Sequence, residues 1–185
     1  MTKLAVIYHS GFGHTEVQAQ SVLDGANLVE GVTADLIKAE DVTSDLEPLK
    51  KYDAMIFGTP TYMGSVSAPF KAFMDASSKA WYKREWQNKV AAGFTNSHSL
   101  SGDKLNTLIQ LNIFAMQHGM IWVGQSESND SPEGEPGKAE SVNRIGSYLG
   151  AMAQSEKSGP PAAGDLETAR KLGERVATIT KKLIS

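Results

Sequence analysis

Short, largely apolar runs alternate with longer amphipathic stretches along the chain, and this alternation constrains the fold more than any other feature of the sequence. The runs are too short for independent helices and are rich in β-branched or aromatic residues, which is typical of buried strands. There are five of them: Leu4–Tyr8, Val32–Ile37, Ala54–Phe57, Val90–Phe94 and Ile121–Val123. Strands that alternate with helices predict a parallel sheet with helices on both faces.

The stretches between the runs carry apolar residues at helical spacing. Helices are expected from near Thr15, from Phe70 to about Lys79 and from Leu105 to about His118. A last helix, for which Asp165 is a candidate N-cap, has the apolar stripe Leu166, Ala169, Leu172, Val176, Ile179 and Leu183. Five strands are too few for an eight-stranded barrel, so we predict an α/β, doubly wound sandwich with a five-stranded parallel sheet, formed by residues 1–185 as a single domain.

Composition excludes several classes of function. The 185 residues include 18 basic and 21 acidic side chains, a net charge of −3 with the basic residues scattered, which argues against nucleic acid as a ligand. There is no cysteine, and the four histidines show no metal-ligand spacing, so we predict no metal site. No stretch has the roughly 18 apolar residues of a membrane span, and the first apolar run is too short for a signal peptide, so the expected location is the cytoplasm.

Two polar segments interrupt the pattern in the second half of the chain. Residues Gln125–Arg144 have almost no apolar anchor and predict a long loop after the fifth strand, of a kind that is usually functional or flexible. A second break at Ser155–Gly164 contains Gly159-Pro160-Pro161 and precedes the last helix.

The loop after the first strand has the composition of a phosphate-binding loop. Its glycines permit close backbone approach, its hydroxyls are donors, and a helix with unpaired N–H groups begins at its end. The loop consists of Ser10, Gly11, Phe12, Gly13, His14 and Thr15. It lacks the lysine of a triphosphate-binding loop and the spacing of a dinucleotide fingerprint, so a terminal monophosphate held by neutral donors fits best. An ordinary glycine-containing turn is the alternative interpretation.

Residues Gly58–Ser65 follow the third strand. Pro60 fixes its own φ and favours an extended Thr59, which gives the loop a preset course beside which a planar ring could lie. Tyr62 could stack on such a ring and Met63 could offer a polarisable contact, although a Gly- and Pro-rich connection with a surface tyrosine explains the segment equally well.

The loop after the fourth strand is built almost entirely of small or hydrogen-bonding residues. They suit the polar edge of a heteroaromatic ring. They are Thr95, Asn96, Ser97, His98, Ser99, Leu100 and Ser101. Ligands bind beyond the carboxyl ends of the strands in an open parallel sheet, so this loop and the two before it are expected to line one crevice.

Two further residues have both a structural and a functional interpretation. His118 stands at the end of a predicted helix, where a histidine more often interacts with free carbonyls than acts as a catalyst. Trp81 belongs to an aromatic group with Tyr82 and Trp86, which suits core or subunit packing or an apolar wall for a flat substrate.

Three segments together resemble the WrbA-type flavoproteins, FMN-dependent NAD(P)H:quinone oxidoreductases with a flavodoxin-like fold. The segments are YHSGFGHT at Tyr8–Thr15, FGTPTYMGSVSAPFKAFMD at Phe57–Asp75 and QHGM at Gln117–Met120. The similarity extends over nearly the whole chain, and the three motifs in this order are specific, whereas each alone is weak.

The resemblance implies FMN as cofactor, NADH or NADPH as electron donor and a quinone-like acceptor that reacts in a ping-pong cycle. It makes Ser10–Thr15 the phosphate loop, with Phe12 also meeting the nicotinamide, and Pro60–Gly64 the segment beside the isoalloxazine. It places Thr95–Ser101 at the ring edge and ribityl chain, His118 close to the flavin, and Trp81 as a substrate-stacking residue. It makes His118 or Tyr62 the proton donor to the reduced quinone, and a homo-oligomer, dimer or tetramer, the expected assembly.

The chain departs from the family pattern in three places. Tyr62 and Met63 stand where arginine and phenylalanine are common, which alters the wall that faces the substrates. The loop TNSHSLSG replaces a glycine-rich stretch, and the long insertion between the second and third strands is missing.

A flavodoxin-type FMN electron carrier that acts with a protein partner is the main alternative. Such carriers are usually strongly acidic, so a net charge of −3 argues against it. A phosphoreceiver domain is excluded because Tyr8-His9 and Gly58-Thr59 occupy the positions where it needs acidic residues.

Overall fold

The computed structural model describes residues 1–155 and 159–184. The central element is one twisted sheet, in which the strands follow the order β2-β1-β3-β5-β6. The strands are β1 (Thr2–Tyr8), β2 (Val32–Lys38), β3 (Ala54–Tyr62), β4 (Ser65–Val66), β5 (Val90–Ser97), β6 (Ile121–Trp122) and β7 (Ala151–Gln154). All pairs are parallel except β3 with β4. The predicted α/β class with a parallel, doubly wound sheet is confirmed.

The predicted number of five strands is wrong, because the described part of the chain forms seven. The fifth position beside β5 is shared by two segments: β6 pairs with Val90–Ala91, and β7 pairs with Phe94–Ser97. Between them the chain leaves the sheet and returns, and this excursion contains the predicted polar loop Gln125–Arg144. The remaining strand, β4, is a two-residue antiparallel addition to the end of β3.

Strands β3 and β5 also extend further than their apolar runs. Beyond the end of β1 they still pair with each other, with Thr59 opposite Thr95 and Pro60 opposite Asn96. These residues were predicted as loop but are strand residues: Pro60 and Asn96 line a cavity, and Thr59 and Thr95 are buried behind it.

The helices pack on both faces of the sheet. They are α1 (His14–Asn27), α2 (Ala39–Val42), α3 (Ala68–Ala76), α4 (Ser78–Tyr82), α5 (Lys104–Gln117) and α6 (Ala163–Ile184), with a 3-10 helix at Glu47–Lys51. The predicted helix from Phe70 to about Lys79 is two helices that meet at Ser77. Asp165 does not cap the last helix, which begins two residues earlier, and Leu183 at the end of its predicted stripe is exposed.

Each face of the sheet has its own apolar core. One core lies beneath α1 and α6 and includes Val6, Val22 and Leu172. The other lies beneath α3 and α5 and is dominated by aromatic rings, among them Phe57 and Phe73. Burial on both faces explains why the central strands are continuous apolar runs and not alternating ones.

Helices α1 and α6 approach each other closely through two glycines. A Cβ at Gly25 would overlap the backbone of Arg170, and one at Gly173 would overlap the backbone of Val22. This contact fixes α1, and with it the loop that precedes α1, against the sheet. None of the described helices is long and apolar enough to cross a membrane.

Candidate functional site

A cavity of about 820 Å³ opens at the carboxyl ends of β1, β3 and β5. Its volume lies within the range that is usual for small-molecule sites. Ten of the predicted site residues line it: Phe12, Gly13, His14, Thr15, Pro60, Thr61, Tyr62, Asn96, Ser97 and His98. The structure therefore brings together the three segments that the sequence singled out.

The loop after β1 is shaped by the hydroxyl group of Ser10. This oxygen accepts hydrogen bonds from the N–H of Gly13 (3.0 Å) and of Glu16 (3.2 Å). Ser10 therefore holds the loop against the start of α1. Gly13 has a φ of 89°, a left-handed conformation that glycine adopts without strain. The next N–H groups, on His14 and Thr15, belong to the first turn of α1, where no intrahelical acceptor exists. They are the donors that an anion would meet.

An aromatic pair stands at the mouth of the cavity. The rings of Phe12 and Tyr62 meet edge to face with centroids 6.3 Å apart, and Phe12 is 82% exposed while Tyr62 is 39% exposed. A Cβ on Gly11 would lie 2.5 Å from the Tyr62 hydroxyl oxygen, so the absence of a side chain at Gly11 lets the tyrosine close over the loop. Burial raises the pKa of Tyr62, which keeps its hydroxyl group protonated.

Buried threonines fix the wall formed by β3 and β5. The hydroxyl of Thr61 donates to Thr107 of α5 (2.8 Å) and lies 2.9 Å from that of Thr95, which donates to the carbonyl of Thr59 (2.6 Å). Thr95 is completely buried, so it supports the wall and does not line the cavity. Satisfied polar networks of this kind rigidify the groups they connect.

Asn96 connects three elements at the base of the cavity. Its side-chain N–H donates to the hydroxyl of Thr15 (2.7 Å), and its amide oxygen accepts from the hydroxyl of Ser155 (2.6 Å). His98 Nδ1 lies 3.1 Å from the carbonyl oxygen of Ser155. The first turn of α1, the end of β5 and the residue after β7 are thus held in one arrangement.

Met63 and Gly64 form the two-residue turn between β3 and β4. Both have positive φ, 49° and 76°, as tight hairpin turns require. The turn is tied to α5 by a hydrogen bond from Asn106 Nδ2 to the carbonyl of Gly64 (2.7 Å). Met63 is fully exposed at the tip, near the cavity but outside its lining.

Not every residue after β5 faces this cavity. Leu100 and Ser101 line a second, smaller cavity of about 390 Å³ with Tyr148 and Met152. Ser99 contributes its carbonyl oxygen to a hydrogen bond with Lys104. Of the residues predicted in this loop, only Asn96, Ser97 and His98 line the larger cavity.

His118 is not among the residues that line the cavity, and its expected position close to the flavin stays a prediction. Helix α5 runs back along the sheet, so its end lies near the amino ends of the strands, where Gly119 bonds to Asn88. The ring of His118 is buried and stacks on Trp86 with centroids 4.3 Å apart, and its Nε2 lies 2.8 Å from the hydroxyl of Ser77. Burial lowers the pKa of His118 to about 4, so the ring is neutral at pH 7.

Trp81 also lies outside the cavity lining. It stands on α4, which follows α3 back along the sheet, and about half of its surface is exposed. Trp86, by contrast, is completely buried in the aromatic core, in agreement with the interpretation of this aromatic group as core packing.

Four residues that line the cavity were not predicted as site residues: Val17, Ser155, Gly159 and Pro160. The last three follow β7, which was not predicted as a strand. Had Ala151–Gln154 been recognised as the second part of the fifth strand, the break that begins at Ser155 would have been another loop at a carboxyl end. Residues 156–158 of this break lie outside the described residues.

Comparisons with known proteins agree with this arrangement. Residues 12–132, well over half of the chain, match the family described as NADPH-dependent FMN reductase. The chain is 42% identical to the flavodoxin FldP of Pseudomonas aeruginosa over 99% of both chains. It is 33% identical to an NAD(P)H dehydrogenase (quinone) of Archaeoglobus fulgidus over 99% of this chain and 100% of that one. The crystal structure of a flavodoxin, WrbA-like protein from Agrobacterium tumefaciens superimposes with a TM-score of 0.74 at 43% identity and covers 98% of this chain and 99% of the other.

The residues present fit FMN. Neutral donors at the start of α1 suit a monophosphate, and the absence of a side chain at Gly11 leaves room for the loop to close under Tyr62. The aromatic pair and Pro60 offer apolar surface to a flat ring, and Ser97 and His98 offer hydrogen-bonding groups to its polar edge. With these matches over most of its length, the chain belongs to the NADPH-dependent FMN reductase family and is a WrbA-type, flavodoxin-like FMN protein.

Proposed function

We propose that the protein is an FMN-dependent oxidoreductase that transfers two electrons from NADH or NADPH to a quinone or a similar flat acceptor, in a ping-pong cycle. The observation that carries the proposal is the open cavity with the exposed Phe12–Tyr62 pair at its mouth. An exposed aromatic rim lets a flat donor and a flat acceptor use the same ring face one after the other. The quinone dehydrogenase of Archaeoglobus fulgidus supports this reaction class.

FMN supplies the hydride-accepting chemistry when it is bound. The protein binds and orients it: the first turn of α1 and Thr15 would hold the phosphate, and Pro60–Tyr62 would lie beside the ring. Ser97 and His98, which line the cavity, would lie at the polar edge of the ring. Phe12 covers the mouth and would meet the nicotinamide.

Tyr62 is the proposed proton donor to the reduced acceptor. Its hydroxyl group stands at the rim, and burial raises its pKa, so the proton is held there at neutral pH. His118 does not suit this role, since its neutral, buried ring lies near the opposite edge of the sheet.

Anaerobic reduction tests the proposal. Purified protein is loaded with FMN, freed of excess cofactor and mixed with NADH or NADPH while the visible absorption band of the flavin is followed. Rapid bleaching that benzoquinone reverses is the expected result. A Tyr62→Phe variant should bleach at a similar rate and reoxidise more slowly.

A flavodoxin-type electron carrier is the second candidate, and the 42% identical flavodoxin FldP favours it. A carrier exchanges electrons with a protein partner and has no need of a nicotinamide site. Bound FMN that neither nicotinamide reduces would therefore contradict the reductase and support the carrier.

We further propose that the protein acts as a homo-oligomer. Helix α5 exposes an apolar stripe of Leu105, Ile109, Ile113 and Met116, each at least 40% exposed. Such a stripe on a helix is typical of an interface. The half-exposed Trp81 would then reach a substrate only in the cavity of another subunit. Sedimentation should show a dimer or tetramer that Ile113→Glu weakens, whereas a concentration-independent monomer would contradict the proposal.

A further inference from the structure

Lys104, the first residue of α5, is a buried lysine whose partners are all neutral oxygens. It is 1% exposed, and its ammonium group donates to the hydroxyl of Ser97 (3.0 Å) and to the carbonyls of Ser99 (2.8 Å) and Leu100 (2.8 Å). Lysine is rarely buried completely unless it is paired with an acid, because a buried charge is costly. This position therefore requires an explanation beyond packing.

Two charged groups act on Lys104 in opposite directions from the elements packed around it. Asp165 of α6 attracts the ammonium group and Arg144 repels it, and these two form an ion pair with each other. The hydrogen bonds that hold the ammonium group all go to oxygen atoms of one neighbouring segment.

That segment, residues 97–100, forms part of the wall of the cofactor cavity. Ser97 and His98 line the cavity, and Ser97 also donates to the carbonyl of Ser99 (3.1 Å). The segment is polar and has no completely buried apolar side chain to hold it. Ser97 and His98 are also bonded to the end of β7, because their carbonyls accept from the N–H of Ser155 (2.9 Å) and from Gln154 Nε2 (3.1 Å). The three bonds from Lys104 are the ones that hold Ser99 and Leu100 against Ser97.

We propose that Lys104 is a positioning residue of the FMN site: its charged ammonium group folds residues 97–100 so that Ser97 and His98 face the cofactor. The inference rests on the proposed function, because it requires FMN in this cavity. Lys104 acts through the segment and is not itself assigned a contact with the ring.

The charge of Lys104 makes this role dependent on pH. Burial lowers the pKa of Lys104 to about 8 in the protein without cofactor. The neutral amine has one N–H fewer for three acceptors, so FMN affinity is expected to fall as the pH rises through about 8. The same shift acts on stability in the opposite direction: the cost of the buried charge is fully present below pH 8 and is relieved as the pH rises toward about 10.5, the pKa of an unfolded lysine.

The test is the FMN dissociation constant of the apoprotein from pH 6.5 to 9.5, measured by quenching of flavin fluorescence. Wild type is compared with Lys104→Arg, which keeps its charge, and Lys104→Met, which loses it. Lys71→Met, on the exposed face of α3, is the matched control. Thermal melts of each apoprotein report folding separately from binding.

Wild type and Lys71→Met should bind FMN roughly tenfold more weakly at pH 9.5 than at pH 6.5. Lys104→Arg should be nearly independent of pH, and Lys104→Met should be weak throughout. The inference would be overturned if the FMN affinity of wild type did not change with pH, or if Lys104→Arg showed the same pH dependence as wild type. The wild-type measurement is sufficient for this test even if Lys104→Met does not fold. If wild type binds no FMN at any pH, the proposed function fails instead.

Discussion

The position of the Tyr62 ring depends on the absence of a side chain at Gly11. A methyl group on Gly11 would lie 2.5 Å from the Tyr62 hydroxyl oxygen and 3.5 Å from the nearest ring carbon. Gly11→Ala should therefore displace the tyrosine and weaken FMN binding roughly tenfold. In a Tyr62→Phe background the clash is absent, so the same substitution should cost much less. FMN titrations of the four proteins form a cycle, and equal losses in both backgrounds would refute the contact.

His118 makes the fold sensitive to acid. Its pKa is lowered to about 4 in the folded protein, against about 6.5 when unfolded, so the unfolded chain takes up the proton first as the pH falls. Stability from this group is complete above pH 6.5 and is lost progressively down to pH 4. We expect the free energy of unfolding to drop by about 2 kcal/mol more between pH 7 and pH 5 in wild type than in His118→Phe.

Urea unfolding at the two pH values measures this difference. Phenylalanine keeps a ring against Trp86 and Phe114, so the variant isolates the titration from the packing. Equal losses in the two proteins would show that His118 does not titrate as described.

At the scale of elements, a buried ion pair joins the long excursion after β6 to the last helix. Arg144 contacts both carboxylate oxygens of Asp165 at 2.8 Å, and Asp165 also accepts from the backbone N–H of Gln154 in β7. The pair therefore holds α6, β7 and the end of the excursion together beside the cavity.

Asp165→Asn should lower the free energy of unfolding by about 3–5 kcal/mol, because it leaves the Arg144 charge buried without its counterion. Asp75→Asn, which breaks the exposed pair with Lys71, is the control and should cost less than about 1 kcal/mol. Urea unfolding at pH 7 compares the two. If the two variants lost similarly small amounts of unfolding free energy, the buried ion pair would not hold these elements together.

The elements that were predicted correctly are those whose pattern is set by the core. The apolar runs at Leu4–Tyr8 and Val90–Phe94 lie between two cores, so burial dictated their composition. The ends of β3 and β5 were missed because some of their residues line a cavity and others are buried threonines that bond to one another. β7 was missed because its sequence, Ala-Met-Ala-Gln, is a short run with little β-propensity that pairing with β5 turns into a strand.

The site was predictable for a similar reason. Glycines, hydroxyls and the proline after three strands indicated a ligand crevice, since topology alone brings carboxyl ends together. The sequence could not indicate the partners of Lys104 and Asp165. Asp165 contacts a residue that is 21 positions away in the chain, and Lys104 bonds to atoms of one loop, so no periodicity in the sequence indicates either contact.

At the scale of the whole molecule, different kinds of residue gather at the two ends of the parallel strands, the carboxyl edge and the amino edge of the sheet. The carboxyl edge holds the polar loops and the cavity, whereas the amino edge holds the aromatic cluster with His118. The cavity proposed to bind FMN is therefore lined by residues from one edge, and residues near the other edge, such as Trp81, could reach such a cavity only in a second chain.

The most direct test of this account is a comparative titration of the apoprotein with FMN and with riboflavin, which differ only in the phosphate. We expect one FMN per chain and an affinity roughly 100-fold above that of riboflavin, because the first turn of α1 binds the phosphate. Equal affinities for the two flavins, or no binding of FMN, would contradict the assignment of the loop at Ser10–Thr15 as the phosphate site.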